Sequence, residues 1–251
     1  MGSKKQDYSV FDRLKFERKP VGVKFLAIKP EGINRINKRV TFCEMFKEAQ
    51  ENNPFYVQKE DFVCVEPMLL GMEDPEPALI SGMAGGTGGL FKEARACRKV
   101  YQYIPKMLKG SVNYVAFSNI DQLTFDPDIL VITANVRQAR SVLRSEGYSS
   151  GEMWSSQGTP VMACAWLYIY PVLSGKMNFT VTGLSLGMEA INFSLPEGLF
   201  LISVPWNLLP TVMENLQEDN LYRSYRASCR EEHFENFRKA LSQLRQQMPG
   251  H

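Results

Sequence analysis

The chain has 251 residues, with 29 Lys and Arg against 27 Asp and Glu, five cysteines and two histidines. Hydrophobic residues at 44% and charged residues at 22% describe a chain that builds a core, and exclude a disordered, collagen-like or coiled-coil class. A net charge of +2 offers no field for nucleic acid, and two histidines, one of them His251, exclude a histidine-rich metal site.

The longest apolar run, residues 161–173, contains Pro171 and is shorter than the roughly 20 residues of a membrane span. The opening residues 1–6 lack the apolar core of a secretory signal, and Gln6 stands where a myristoylation motif wants Ser or Thr. These features predict a soluble, cytoplasmic protein that binds neither membrane nor nucleic acid.

In chain order, residues 21–27 read as a first strand, framed by Pro20 and Pro30. Thr41 then stands as an N-cap, and Glu44 three residues on completes a capping box. Phe42, Met45, Phe46 and Ala49 follow at helical spacing until Asn52-Asn53-Pro54 stops the helix. Residues 55–65 are β-rich but broken by Lys59-Glu60-Asp61, and 66–72 form a short helix. A glycine-rich loop spans 81–89, and the helix after it, 90–103, carries Phe91, Ala94, Cys97 and Tyr101 near one stripe. Strands follow at 114–117 and 128–133, the second apolar throughout and so buried on both faces. Asn135 caps a helix over 136–145, residues 162–173 form an apolar helix, 179–182 a strand and 184–191 a short helix. A strand at 199–204, a helix at 207–216 and a charged helix at 228–247 end the series. Phe234, Phe237, Leu241 and Leu244 give that last helix an apolar stripe, which predicts that it docks on the body.

Strands alternating with helices predict an α/β or α+β fold, a mixed sheet with flanking helices. No linker divides the chain, so residues 1–251 read as a single compact domain. Two internal halves, 20–126 and 127–217, are hinted at. The blocks 20–27 and 127–134 both open on Pro, close on Ala and enclose a strand. Each leads into a helix and then a cysteine in an apolar stretch, Cys64 or Cys164. A ligand would sit between such halves.

Two features carry candidate chemistry. The glycine segment offers converging backbone N–H groups at Gly85, Gly86, Thr87, Gly88 and Gly89 ahead of a helix, the arrangement that holds an anionic group. It has neither Gly-Lys-Ser/Thr nor an in-frame G-x-G-x-x-G, and the same composition serves a tight crossing of chain segments. The cysteines are the second feature. Cys43 stands at the second position of a capped helix, where free N–H groups favour thiolate and Glu44 opposes it. Cys64 and Cys164 lie among apolar residues, and Cys97 has Arg95, Arg98 and Lys99 around it. An odd number at wide spacing is not a disulfide framework. No C-x-x-C pair exists, so a zinc or iron–sulfur centre would need cysteines from distant elements. His233 lies among Glu231, Glu232 and Glu235 without a G-x-S-x-G, which leaves no hydrolytic triad. Asp121, Asp126 and Asp128 gather at a strand end, and Trp166, Tyr168 and Tyr170 offer an aromatic wall.

Pro20-Val21-Gly22-Val23-Lys24-Phe25, Phe42-Cys43-Glu44-Met45, Val63-Cys64 with Gly71, Asp128 to Ala134, Pro160 to Ala165, and Pro196-Glu197-Gly198-Leu199 occur in that order. Together they resemble an uncharacterised microbial family, domain of unknown function 169, also called an uncharacterised archaeal conserved region. The likeness covers residues 20–216. The resemblance implies cysteines at the positions of Cys43, Cys64 and Cys164 and so gives these three weight, whether they bind metal, react or pack. Relatives often carry Gly-Cys-x-Gly-x-Arg after the apolar helix. Residues 182–188 here lack both the cysteine and the arginine. The family is frequent in anaerobes, which implies a reduced cytoplasm, and it implies no established activity.

Three functions stand open on the sequence. One is binding of a small-molecule ligand or anionic organic cofactor, with or without enzymatic turnover, at Gly85 to Gly89. Another is a redox protein holding a metal or iron–sulfur cluster on Cys43, Cys64 and Cys164. The third is a non-enzymatic interaction protein, including a homo-oligomer.

Overall fold

The structure, a computed structural model, describes residues 7–185, 195–218, 221 and 230–247. The expected short helix at 184–191 falls mostly outside these residues, and Cys229 and His251 fall wholly outside them. Seven strands are described: β1 Val21–Leu26, β2 Asn34–Arg35, β3 Phe55–Gln58, β4 Tyr114–Asn119, β5 Ile129–Ala134, β6 Asn178–Val181 and β7 Phe200–Pro205. They form one mixed sheet in the order β2-β3-β4-β1-β5-β7-β6, antiparallel except for the β2–β3 pair. Every position of β5 is buried, as its unbroken apolar run predicts.

The helices are α1 Phe42–Glu51, α2 Glu66–Leu69, α3 Pro77–Ile80, α4 Met83–Thr87, α5 Ala94–Tyr103, α6 Val136–Ser150, α7 Tyr170–Ser174, α8 Leu209–Gln217 and α9 Arg230–Gln247. A short π-helix, Ala165–Ile169, runs straight into α7. The class is α+β: helices flank both faces of a sheet made mainly of antiparallel pairs.

The alternation of strand side chains sorts the core into two layers. Val21, Val23, Ile129 and Val131 point to one face, with α1, α2, α5 and the π-helix packed there. Leu130, Ile132, Ile202 and Val204 point to the other, under α6, α8 and the 3-10 turn Ser9–Leu14. Leaving out β2, the strand order mirrors itself about the β1–β5 seam, β3-β4-β1 against β5-β7-β6. The helices do not follow this mirror. A two-fold axis relating antiparallel neighbours would put α1 and α6 on the same face, yet they lie on opposite ones. The face left open in the second half is filled by residues 161–169, which therefore meet α1.

Local sequence explains the ends of these elements. Thr41 Oγ1 accepts the Glu44 N–H at 3.2 Å, and the Glu44 carboxylate accepts the Thr41 N–H at 2.8 Å. Asn135 and Gln138 form a second capping box at α6. The apolar helix expected at 162–173 is instead π-helical in its first part. Pro171 has no N–H to give the Leu167 carbonyl, and the Ser203 hydroxyl of β7 donates to that carbonyl instead. Tyr170 N–H reaches back to Ala165 O and closes the wider turn.

The expected docking of the last helix is not what the structure shows. In α9 the stripe is exposed: Phe234 by 45%, Phe237 by 58%, Leu241 by 38% and Leu244 by 51%. An apolar stripe specifies a partner surface without saying whose surface it is. Among the described residues no helix is long and apolar enough to cross a membrane.

Candidate functional site

The three cysteines singled out in the sequence converge on the α1 face. Cys43 is carried on the first turn of α1, and Cys164 stands at the mouth of the π-helix. Both are buried, and their sulfurs lie 3.5 Å apart although 121 residues separate them. Cys64, half-buried on the loop before α2, accepts the Phe42 N–H at 3.4 Å. Its sulfur thus occupies one of the free donors at the α1 N-terminus. No disulfide joins Cys43, Cys64, Cys97 or Cys164.

Glu66, the first residue of α2, completes the cluster. One of its carboxylate oxygens, Oε2, is buried with no hydrogen-bond partner among the described residues. Tyr168 is fully buried and sets its ring edge-on to Phe42, with centroids 4.4 Å apart. The space bounded by Phe42, Glu66, Leu70, Cys164, Tyr168 and Ile169 is too tight for a water molecule.

Electrostatics hold the protons on Cys164, Cys64 and Tyr168. The Cys164 thiol is pushed far above its ordinary range by its contact with Cys43, by burial, and by the charges of the neighbouring Cys43, Glu66 and Cys64. Burial, then Glu66, raises Cys64. Burial, then Cys164, Cys43 and Glu66, raises Tyr168. The folded state therefore binds these protons more tightly than the unfolded chain does. The stability this contributes is complete below the unfolded thiol pKa of roughly 8.5 and is lost as pH rises above it toward the folded values. In urea titrations the unfolding free energy should fall between pH 8.5 and 10 by up to about 1.4 kcal/mol per pH unit for each of the two raised thiols, Cys164 and Cys64. Cys164→Ala should flatten that slope. A pH-independent midpoint over the window would contradict the picture.

The backbone around Cys164 is unusual on both sides. Met162, two residues before it, has a left-handed φ of 62°, and the π-helix begins one residue after it. Both conformations cost energy and concentrate where function constrains the chain. As for a metal, three thiols and a carboxylate supply suitable donors. Among the described residues, however, no three His, Cys, Asp or Glu side chains are disposed to hold an ion.

The glycine segment folds differently from the expected open loop. Residues 83–87 form α4, packed against α5. Gly86 N–H donates to Gly82 O, Gly88 N–H to Ala84 O and Gly89 N–H to Gly86 O, so these three amides are used inside the segment. A Cβ on Gly86 would lie 2.7 Å from the Ala94 nitrogen, and one on Gly85 would strike Cys97 Sγ. Thr87 and Gly88 are exposed, and Gly89 turns the chain with φ 71°. Cys97, buried beneath Gly85, thus serves this contact. Gly82 has φ 79°, and a Cβ there would run into the Ala94 carbonyl and the Arg98 nitrogen. Gly82→Ala should cost about 2–4 kcal/mol in urea unfolding. A loss under about 0.5 kcal/mol would show that α4 does not need this close approach.

The remaining candidates have structural partners. Asp128 accepts the Phe25 N–H at 2.7 Å and is raised by burial. Asp121 pairs with Lys19. Trp166 donates to Thr159 at 2.8 Å and tilts against Tyr170. An open cleft of 610 Å³ lies beside the 3-10 turn Ser9–Leu14, lined by Tyr8, Phe11, Lys15, Phe16, Lys19 and Asp121. No motif pointed to it, because its walls come from segments that no motif links. Glu66 was also missed. Its signal was a lone charge in the apolar stretch from Val63 to Leu70.

No curated protein and no solved structure matches the chain. Residues 11–215 match the family described as Uncharacterised ArCR, DUF169, a span that contains the whole sheet, the three converging cysteines and Glu66. The chain belongs to that family.

Proposed function

We propose that this is a thiol-redox protein whose working centre is the Cys43–Cys164 pair. The observation that carries the reading is the 3.5 Å approach of two buried sulfurs in a space with no room for a guest. Such a site needs no resident ligand to hold either redox state, because a disulfide needs the sulfurs only to close to about 2.05 Å, and an exchange partner enters when the compartment opens. The oxidant is a low-molecular-weight disulfide. Its S–S bond breaks as the Cys43–Cys164 bond forms; two electrons and the two thiol protons leave with it as two small thiols. Cys64, the more exposed thiol, and Glu66 border the pair and help hold the Cys164 proton on. Exchange should therefore be slow at neutral pH and accelerate as pH rises, since thiolate is the attacking species.

Hydroxyethyl disulfide tests this directly. The reduced protein should release two equivalents of mercaptoethanol, and Cys164→Ser should release no such pair. Consumption that is unchanged in Cys164→Ser would overturn the reading. A metal ion is the second reading; the orphan oxygen of Glu66 is the observation behind it, a hard donor beside the soft thiols. Stoichiometric iron or zinc in anaerobically purified protein, lost in Cys43→Ser and Cys164→Ser, would replace the dithiol with a metal centre.

A further inference from the structure

Among the described residues, the 18-residue α9 leaves its apolar stripe exposed, although packing is what usually stabilises helices in proteins. In α9 the stripe residues Phe234, Phe237, Leu241 and Leu244 are spaced three, four and three apart, which is the a/d pattern of a coiled coil, and Met248 continues it in the sequence. This is a narrow seam suited to another helix, narrower than the face a helix uses to cover a globular core.

Charge selects the occupant and its direction. With Phe234 and Leu241 at a and Phe237 and Leu244 at d, the flanking e positions are Glu231, Arg238 and Arg245, and the g positions are His233, Ala240 and Gln247. In a parallel pair g faces the following e. That would set His233 against Arg238 and Ala240 against Arg245, with no ion pair. In an antiparallel pair e faces e, so Glu231 of each copy meets Arg245 of the other, twice by symmetry. The same register stacks Phe234 on Leu244 and Phe237 on Leu241, so every layer joins an aromatic ring to a leucine. Arg238 meets its own copy at the centre, which limits affinity. Glu235 is held within the helix by Lys239 at 2.9 Å and leaves the seam clear.

We propose that α9 is a dimerisation element: it pairs antiparallel with α9 of a second copy of this chain. This inference is independent of the thiol reading, because α9 contributes nothing to the thiol compartment.

The test is sedimentation equilibrium of the full reduced chain across a micromolar concentration range. Wild type should be a dimer. Phe237→Glu with Leu241→Glu should be a monomer with unchanged thermal unfolding of the body. Glu231→Arg alone and Arg245→Glu alone should each weaken dimerisation by about tenfold, and the double swap should restore it. Restoration is specific to the antiparallel register. A wild-type monomer at every concentration would overturn the proposal, including one that instead binds anionic vesicles. So would a dimer that survives the two glutamates, or a double swap no tighter than the single ones.

Discussion

Phe42→Ala is expected to lower the unfolding free energy by about 3–5 kcal/mol, among the largest losses available to a single substitution in this chain. Phe42 is 1% exposed and is the hub of the aromatic cluster on the α1 face. Its ring lies 5.9 Å from Phe62, 5.4 Å from Phe117 and 4.4 Å from Tyr168. These contacts tie α1 to the loop before α2, to β4 and to the π-helix. Truncation removes the apolar surface and the edge-to-face contacts together, and the rigid sheet side cannot collapse to refill the space. The same ring walls the thiol compartment, so the substitution has a second readout. A hole beside Cys164 admits water, and Cys43 and Cys164 should then become alkylatable in the folded protein at neutral pH. Chemical unfolding gives the first quantity, and thiol labelling below the unfolding midpoint gives the second. A loss under about 1.5 kcal/mol would contradict the hub role.

Oxidation of the Cys43–Cys164 pair should have an effect of similar size and opposite sign. The bond would close a loop between residues 121 apart in sequence, which removes much of the freedom of the unfolded chain. For loops on the order of 100 residues the chain-entropy estimate approaches 5 kcal/mol, and native strain subtracts from it. A net gain of about 3 kcal/mol is expected, a rise of roughly 6–12 °C in Tm. The gain should vanish in Cys164→Ser treated with the same oxidant. Calorimetry of the reduced and oxidised forms measures it. Oxidised protein that melts at or below the reduced form would show that closing the bond distorts the compartment.

The layers of the fold were readable where sequence acts locally. Thr41 and Glu44 marked the start of α1, and Asn135 the start of α6, because capping depends on residues only three apart. The run from Ile129 to Ala134 announced a central strand, because burial on both faces leaves no polar position. Other elements depended on distant partners. The π-helix arises because Ser203 of β7 replaces the donor that Pro171 lacks, a bond that crosses 36 residues. The helix at 83–87 forms in a glycine-rich run because α5 demands close approach there, and local propensity argues against it. The exposure of α9 was unreadable, since its stripe has the same pattern whether it meets its own body or another chain.

The site was legible in part. Cys43, Cys64 and Cys164 do come together, although the three are scattered across the chain. What brings Cys164 to α1 is the broken mirror of the sheet: α6 crosses to the far face and leaves the near face for residues 161–169. No periodicity in the sequence encodes that choice. Glu66 is part of the same lesson, since its place in the cluster follows from the short α2 and not from any motif.

The central claim is that Cys43 and Cys164 form a reversible pair. Peptide mass mapping of native protein oxidised with hydroxyethyl disulfide tests it most directly. The predicted result is a single cross-linked species joining the Cys43 and Cys164 peptides, lighter by two hydrogens and restored by a dithiol reductant. Full oxidation that leaves Cys43 and Cys164 separately alkylatable, or that links either one only to Cys64, would contradict it.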